Sequence, residues 1–379
     1  MKFVIFADKN HDFIKPIAEG LAKMLKNEQQ QCVIYYGGRH WLLQQNIIKE
    51  FFADIAKFFA NLKARKKNLY VYRFWQSVTF MNRKRKRELQ QCDCIILVLH
   101  CPGSFYFNLQ RIEQLRRRFN KPVVNYDLHF MPNQGWYKKI KQQNVSNYGL
   151  ERYDWYLPAS LVSEYALPKE IPQIYSHVGF DVKSPSLYPE QKEFTALIDF
   201  ERKGYEAERA IQIQALKETN TPYVELKGRY TADDIRSIYR RCGMYFPAFR
   251  ESFGLPILEL QLCGCTIFTP FREWVPAHFL NKSVNVKGNG DPGSNFFVYN
   301  NDIEKLKSMI INLKEHYNPQ TVIDRFKTEY PFYYSYNKEE MKSFLQKLQN
   351  KEISPDSHLK YEQYNRFIST EDDVWLYES

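Results

Sequence analysis

Short apolar runs alternate with amphipathic stretches along most of the chain. Lys2-Phe-Val-Ile-Phe-Ala7, Cys32-Val-Ile-Tyr-Tyr36, Leu69-Tyr-Val-Tyr72, Cys94–His100 and Pro122-Val-Val-Asn-Tyr126 have strand length and few charges. Between them, Phe13 to about Asn27, Leu42 to about Lys67 and about Phe107 to Phe119 repeat their apolar positions with helical spacing. Runs apolar on both sides suit strands covered on both faces. Their alternation with helices predicts an α/β fold with a parallel sheet. Ligands of such sheets bind beyond the strand carboxyl ends. Lys9 to Asp12, His100 to Ser104 and Asp127 to Pro132 are therefore expected to line one cleft.

Around Tyr153-Asp-Trp-Tyr-Leu-Pro158 the chain is read as leaving this first unit, with Val178-Gly-Phe-Asp181, Pro185 and Pro189 as linker. A second series follows: strand Phe194–Phe200, a helix from about Ala207 to Lys217, strand Tyr223–Lys227, and a short helix opened by Asp234 and Ile235. After the strand Gly243-Met-Tyr-Phe-Pro247 comes Ala-Phe-Arg-Glu251-Ser-Phe-Gly254-Leu-Pro256-Ile-Leu-Glu259-Leu-Gln-Leu-Cys-Gly264. Pro256 fits a first helical turn, where its missing N–H costs nothing, and Gly264 fits the far end. A strand, turn and helix in this order aim backbone N–H groups and a positive dipole end above the strand's carboxyl edge, a seat for phosphate. Glu251 before the helix and Glu259 inside it read as acceptors for sugar hydroxyls on either side of a diphosphate. Neither position suits a general acid. Strand Thr266–Thr269, a helix from Ile303 to about His316 capped by Asn301-Asp302, and helices from Pro319 to about Glu329 and Lys338 to Gln349 complete the pattern.

The phrase Glu251 to Glu259 resembles the E-x7-E signature of GT-B glycosyltransferases, in particular the retaining family 4. Gly228-Arg-Tyr-Thr-Ala-Asp-Asp-Ile-Arg-Ser-Ile-Tyr239, Ser176-His-Val-Gly-Phe-Asp181 and Phe296-Phe-Val-Tyr-Asn-Asn-Asp302 are similar to flanking segments of that family. The resemblance covers about residues 175–315 and implies two Rossmann-like βαβ domains facing each other across a cleft. Residues 1–182 would bind the acceptor and 183–349 the nucleotide sugar, and 350–379 would be a tail able to pack back on the first domain. The implied activity is sugar transfer from a nucleotide-sugar donor to an acceptor hydroxyl with retention, in bacterial-type surface glycan or glycolipid assembly, with no metal or other cofactor. Carried over by position, Glu251, Arg202, Lys203 and His129 would be the catalytic group. Glu259, Ser252, Phe253, Gly254, Leu255, Gly228 and Arg229 would hold the donor. Where the family often has a glycine-rich loop, this chain has Asp8-Lys-Asn-His-Asp12, so Lys9, Asn10 and His11 would act through side chains on the acceptor side, with His100. The bulky Phe271, Arg272 and Ala277 replace the family's small-residue turn, so donor selectivity does not carry over.

Composition sharpens this picture. At 379 residues, 44% of them hydrophobic, the chain suits two domains rather than one. No apolar run approaches a membrane span. No signal-peptide layout precedes the first strand, so a cytoplasmic protein is expected. The seven cysteines include Cys92/Cys94 and Cys263/Cys265, too close for zinc pairs of the C-x2-C kind, and read as buried thiols in a reducing compartment. The net charge of +11 is uneven: residues 1–150 hold 26 Lys/Arg against 10 Asp/Glu, while the remainder holds 28 against 33. The clusters Lys63–Lys67, Arg83–Arg87, Arg116–Arg118 and Lys138–Lys141 read as a solvated face, or as a surface for anionic lipid headgroups or an anionic acceptor. Nucleic acid is the weakest partner, since no nucleic-acid motif accompanies the charge. A GT-B epimerase or phosphorylase and a non-catalytic binder stand as alternatives.

Overall fold

The computed structural model describes residues 1–7, 14–36, 81–98, 109–129, 153–161, 173–190, 194–251, 253–280 and 290–360. The helix expected over 42–67, the strand at 69–72, and the loops bearing Lys9, Asn10, His11 and His100 lie outside them.

The first domain is a parallel sheet of β1 (Lys2–Ala7), β2 (Gln31–Tyr36), β3 (Cys94–Val98), β4 (Val123–His129) and β5 (Trp155–Ser160), in the order β2-β1-β3-β4-β5. Strand geometry sends successive side chains to opposite faces. Phe3, Ile5 and Ala7 therefore pack toward α1 (Ile14–Asn27), while Val4 and Phe6 pack toward α2 (Met81–Gln91) and α3 (Leu109–Phe119). Two expectations change here. Tyr153 to Pro158 is not the exit from the domain, because 155–160 is the fifth strand, and its position at the sheet edge tolerates Pro158. The basic run Arg83–Arg87 lies on a helix, and its Arg85 is buried with the guanidinium 4.3 Å from the Tyr35 ring centroid. The buried Arg116 likewise bonds Asp154 rather than solvent.

The second domain repeats this plan. Its parallel sheet has the order β10-β9-β8-β6-β7, from β6 (Ala196–Ile198), β7 (Tyr223–Glu225), β8 (Met244–Phe246), β9 (Thr266–Thr269) and β10 (Phe296–Val298). Helices α4 (Glu206–Glu218), α5 (Ala232–Tyr239), α6 (Leu255–Leu262), α7 (Ile303–His316) and α8 (Pro319–Glu329) flank it. Helix α5 starts two residues earlier than its sequence suggests. Thr231 caps it, accepting from the Asp234 N–H at 3.2 Å while Asp234 bonds back to the Thr231 N–H, a reciprocal capping box. Renumbered from its own first strand, each domain reads 2-1-3-4-5 among the described residues, an order that reverses at a switch point beside the first strand.

The two Rossmann-like domains face each other, joined by two chain crossings. Residues 173–190 leave β5, and α9 (Pro331–Tyr334) and α10 (Lys338–Gln349) return. The outgoing and returning segments bond directly: Phe180 N–H to Phe332 O at 2.7 Å, Val182 N–H to Tyr333 O at 3.2 Å, and Asn337 N–H to Val178 O at 2.8 Å. Helix α10 rests on the first domain, with Phe344 against Phe3 at 6.4 Å between ring centroids. Residues 350–360 continue onto that domain, where His358 reaches the buried Asp154 through both its N–H (3.1 Å) and Nδ1 (2.9 Å).

Candidate functional site

In the second domain the switch point falls between β6 and β8, whose register pairs Ile198 with Phe246. The chain beyond each strand supplies one carboxyl group. Asp199 follows β6 directly, its N–H donating to Phe246 O at 3.1 Å. Glu251 lies five residues beyond the end of β8, on the way into α6. Gly254 is the N-cap of α6 with φ +59° and ψ +94°, and Leu255 and Pro256 begin the helix. An L side chain at position 254 would meet Glu251 Cγ at 2.7 Å and Ile257 Cδ1 at 2.8 Å, so glycine is what lets Glu251 lie against the helix start. The α6 sequence is apolar almost all round, and Ile257, Leu258, Leu260, Gln261 and Leu262 are buried. That burial fixes the helix so that its N-terminal groups and Glu259 stay at the strand carboxyl ends.

The electrostatics are unusual for two nearby carboxyls. Burial, reinforced by the neighbouring Asp199 charge, pushes Glu251 up to about 7, with Arg202 opposing. Burial also pushes Asp199 up, opposed by the Phe200 N–H, which donates to it at 2.8 Å, and by the nearby Arg202 charge. Glu251 was read as an acceptor for sugar hydroxyls, in a position that does not suit a general acid. In place, it is a group that can hold its proton near neutrality. Glu259 is different: Arg236 of α5 donates to its Oε1 from Nη2 at 2.6 Å and from Nε at 3.2 Å.

On the other side of the switch point, the turn Glu201–Gly204 presents exposed Arg202 and Lys203 ahead of α4. The Arg202 guanidinium sits 4.4 Å from the Phe249 ring centroid. Tyr205 joins this wall, edge-on to Trp274 at 5.3 Å and 6.3 Å from Phe249. Just ahead of α4, the Glu206 carboxylate accepts from the Gly204 N–H at 2.9 and 3.0 Å and closes the turn. Gly228 and Arg229 are exposed in the turn after β7. Phe253, by contrast, turns its ring into the domain junction, against Phe180 at 6.1 Å and Tyr333 at 5.1 Å, and its carbonyl accepts from His278 Nε2 at 2.7 Å.

The structure thus brings Glu251, Gly254, Leu255, Glu259, Arg202 and Lys203 to the carboxyl edge of one sheet. His129 is the last residue of β4, in register with Ser160; its side chain, like Ser252, Lys9, Asn10, His11 and His100, lies outside the described residues. Sequence reading missed Asp199, Arg236, Tyr245 and Phe249. Asp199 carried a signal, being the first polar residue after the buried run Ala-Leu-Ile; Arg236 and Tyr245 carried none, because their role comes from neighbours distant in sequence. Among the described residues no three His, Cys, Asp or Glu side chains group so as to hold a metal ion.

No known family's sequence profile matches the chain, and no curated protein matches it. Among solved structures, UDP-GlcNAc 2-epimerase from Neisseria meningitidis bound to UDP-GlcNAc is similar at 8% identity and a TM-score of 0.48, covering 92% of this chain and 100% of that one. HepE from Anabaena in complex with UDP-glucose is similar at 11% and 0.45, covering 93% and 99%. The glycosyltransferase SnogD from Streptomyces nogalater is similar at 10% and 0.42, covering 92% and 99%. At such scores these likenesses carry no weight for the site. The fold rests on the two parallel sheets and their strand order.

Proposed function

We propose that the protein is a metal-independent retaining glycosyltransferase that moves a sugar from a nucleotide-sugar donor to an acceptor hydroxyl. The observation that carries this reading is the switch point of the second domain, where the α6 start, two glutamates and two basic side chains meet at one sheet edge. A diphosphate seated on the α6 start would be met by the N–H groups of 253–255 and by Arg202 and Lys203. Fixed positive charge of this kind stabilises the negative charge that grows on the leaving diphosphate. Glu259, whose Oε1 holds Arg236, offers its second oxygen to ribose hydroxyls. Glu251, with Ser252 beside it, meets the sugar hydroxyls, and Gly228 and Arg229 lie toward the base. The bond from the anomeric carbon to phosphate breaks, the acceptor oxygen bonds that carbon on the same face, and the acceptor proton passes to the leaving phosphate oxygen. His129, the last residue of β4, joins the catalytic group, and Lys9, Asn10, His11 and His100, which follow strands of the first sheet in the sequence, are assigned to the acceptor side. Exposed Lys84, Lys86 and Arg87 of α2 and Arg117 and Arg118 of α3 share one face of the first domain, which supports an anionic, lipid-linked acceptor at the cytoplasmic face of a membrane.

A thermal-shift panel of nucleotide sugars tests the reading, since a ligand that binds only the native state raises its melting temperature. At least one donor is expected to do so, and Glu251→Gln is expected to lower its turnover by orders of magnitude while the fold persists. Absence of any shift, or near-normal turnover in the variant, refutes the assignment. The ionisation of Glu251 near 7 favours one rival, a nucleotide-sugar epimerase, because such a carboxyl can exchange protons at neutral pH. Conversion of the donor to its epimer without transfer to any acceptor would establish that rival.

A further inference from the structure

His278 stands outside the motif from Glu251 to Gly264, yet its ring reaches the turn of that motif. It ends the short turn Pro276–His278 beyond β9 and is fully buried. Its N–H donates to Val275 O at 3.0 Å, and its own carbonyl accepts from the Tyr330 phenol at 2.6 Å. The Ala277 carbonyl before it accepts from the Tyr333 phenol, also at 2.6 Å. Both tyrosines stand at the start of the returning crossing, Tyr330 just before α9 and Tyr333 within it. The ring packs against Phe296 at 4.9 Å between centroids, Tyr330 at 5.5 Å and Tyr333 at 5.8 Å. A close-packed ring enclosed in this way keeps one orientation.

In that orientation Nε2 lies 2.7 Å from the Phe253 carbonyl oxygen. A carbonyl can only accept, so Nε2 carries the proton. The bond fixes the plane of the Phe253–Gly254 peptide. This peptide is trans, so its C=O and N–H point in opposite directions. With the carbonyl held toward the aromatic junction, the Gly254 N–H points away from it. Gly254 is the N-cap of α6 and is buried, and its N–H has no hydrogen-bond partner among the described residues. A buried N–H in that state costs free energy until a ligand or water accepts from it. Turning the peptide over would put a carbonyl oxygen in its place, and the partial negative charge there would repel an anion.

We propose that His278 is a positioning residue: through the Phe253 carbonyl it holds the Gly254 N–H away from the junction, where that N–H bonds a phosphate oxygen of the donor diphosphate. This rests on the transferase reading for the identity of the ligand, whereas the orientation of the peptide stands on the hydrogen bond itself.

Inorganic pyrophosphate is the probe, titrated calorimetrically into the full-length protein. His278→Leu fills much of the same space without a donor, and pyrophosphate is expected to bind it at least about tenfold more weakly, the loss of one hydrogen bond to a charged group. His278→Gln keeps an N–H donor near the place of Nε2 and is expected to bind within about threefold of the unmutated protein. Unchanged binding in His278→Leu, equal weakening in both variants, or no pyrophosphate binding by the unmutated protein overturns the proposal. Should His278→Leu fail to fold, nitrogen NMR of the unmutated protein decides. The His278 ring must carry its proton on Nε2, and the Gly254 amide signal must move when pyrophosphate is added; failure of either overturns the proposal equally. The nucleotide-sugar panel keeps the two ideas apart. Pyrophosphate binding that depends on His278, with no nucleotide sugar bound, refutes the transferase reading alone. Sugar transfer with pyrophosphate binding indifferent to His278 refutes only the role given to His278.

Discussion

Replacing Gly254 by alanine tests whether the turn into α6 is built around Glu251. The residue has φ +59° and ψ +94°, a conformation that costs a side-chain-bearing residue about 1–3 kcal/mol. The added methyl also meets Glu251 Cγ at 2.7 Å and two Ile257 carbons at 2.8 and 2.9 Å. Ile257 is fully buried on α6 and cannot move away without disturbing the core, so Glu251 must give. Such overpacking adds roughly 1–3 kcal/mol. The total expected loss is on the order of 2–6 kcal/mol. Two glycines serve as controls for backbone strain alone. Gly204 (φ +93°) and Gly228 (φ +83°) also have positive φ, but a methyl at either would meet no atom within 4 Å. Gly204→Ala and Gly228→Ala should lose only the strain, about 1–2 kcal/mol. Equilibrium urea denaturation of the three variants measures the difference. If Gly254→Ala is no less stable than the two controls, the close packing of Glu251 on the helix start is wrong, and with it the site geometry.

Two further outcomes follow from buried charges. Asp154→Ala should cost on the order of 3 kcal/mol in urea denaturation, because Asp154 accepts from Val123 N–H at 2.8 Å, Arg116 Nε at 3.0 Å and His358 at 2.9 and 3.1 Å, and its loss strips the buried Arg116 of a partner; the segment 350–360 should also become more sensitive to protease. Glu251 gives a pH dependence of definite sign: its carboxyl holds its proton to about 7 in the fold but only to about 4.5 when unfolded, so the native state binds more protons in that window. Its contribution is therefore complete below the lower value and is lost as pH rises through 7, by on the order of 3 kcal/mol. Urea denaturation at about pH 5 and about pH 8 should show a smaller loss in Glu251→Gln than in the unmutated protein; equal losses would refute the raised ionisation.

The parallel α/β plan and most helix limits were legible before any coordinates, because burial on both faces leaves its mark on each strand separately. Helices such as Ile303–His316 and Lys338–Gln349 also announce their ends through caps. The motif from Glu251 to Gly264 was equally local, and its turn, proline and helix fall where the residues indicate. The edge strand Trp155–Ser160 was misread because its proline speaks against a strand except at an edge, and edge position is a property of the sheet.

By itself, then, the order of residues determined the elements, the glycine turn and the two glutamates, since each depends on neighbours within about one helical turn. Only the tertiary structure decided that Asp199 stands beside Glu251, that Arg236 holds Glu259, and that Glu251 can keep a proton near neutrality. It also decided that the segment ending at residue 360 is bound to Asp154. These are effects of burial and of charges brought close by separate strands. The free energy of an ionised group depends on its three-dimensional surroundings, which the spacing of residues along a chain does not contain.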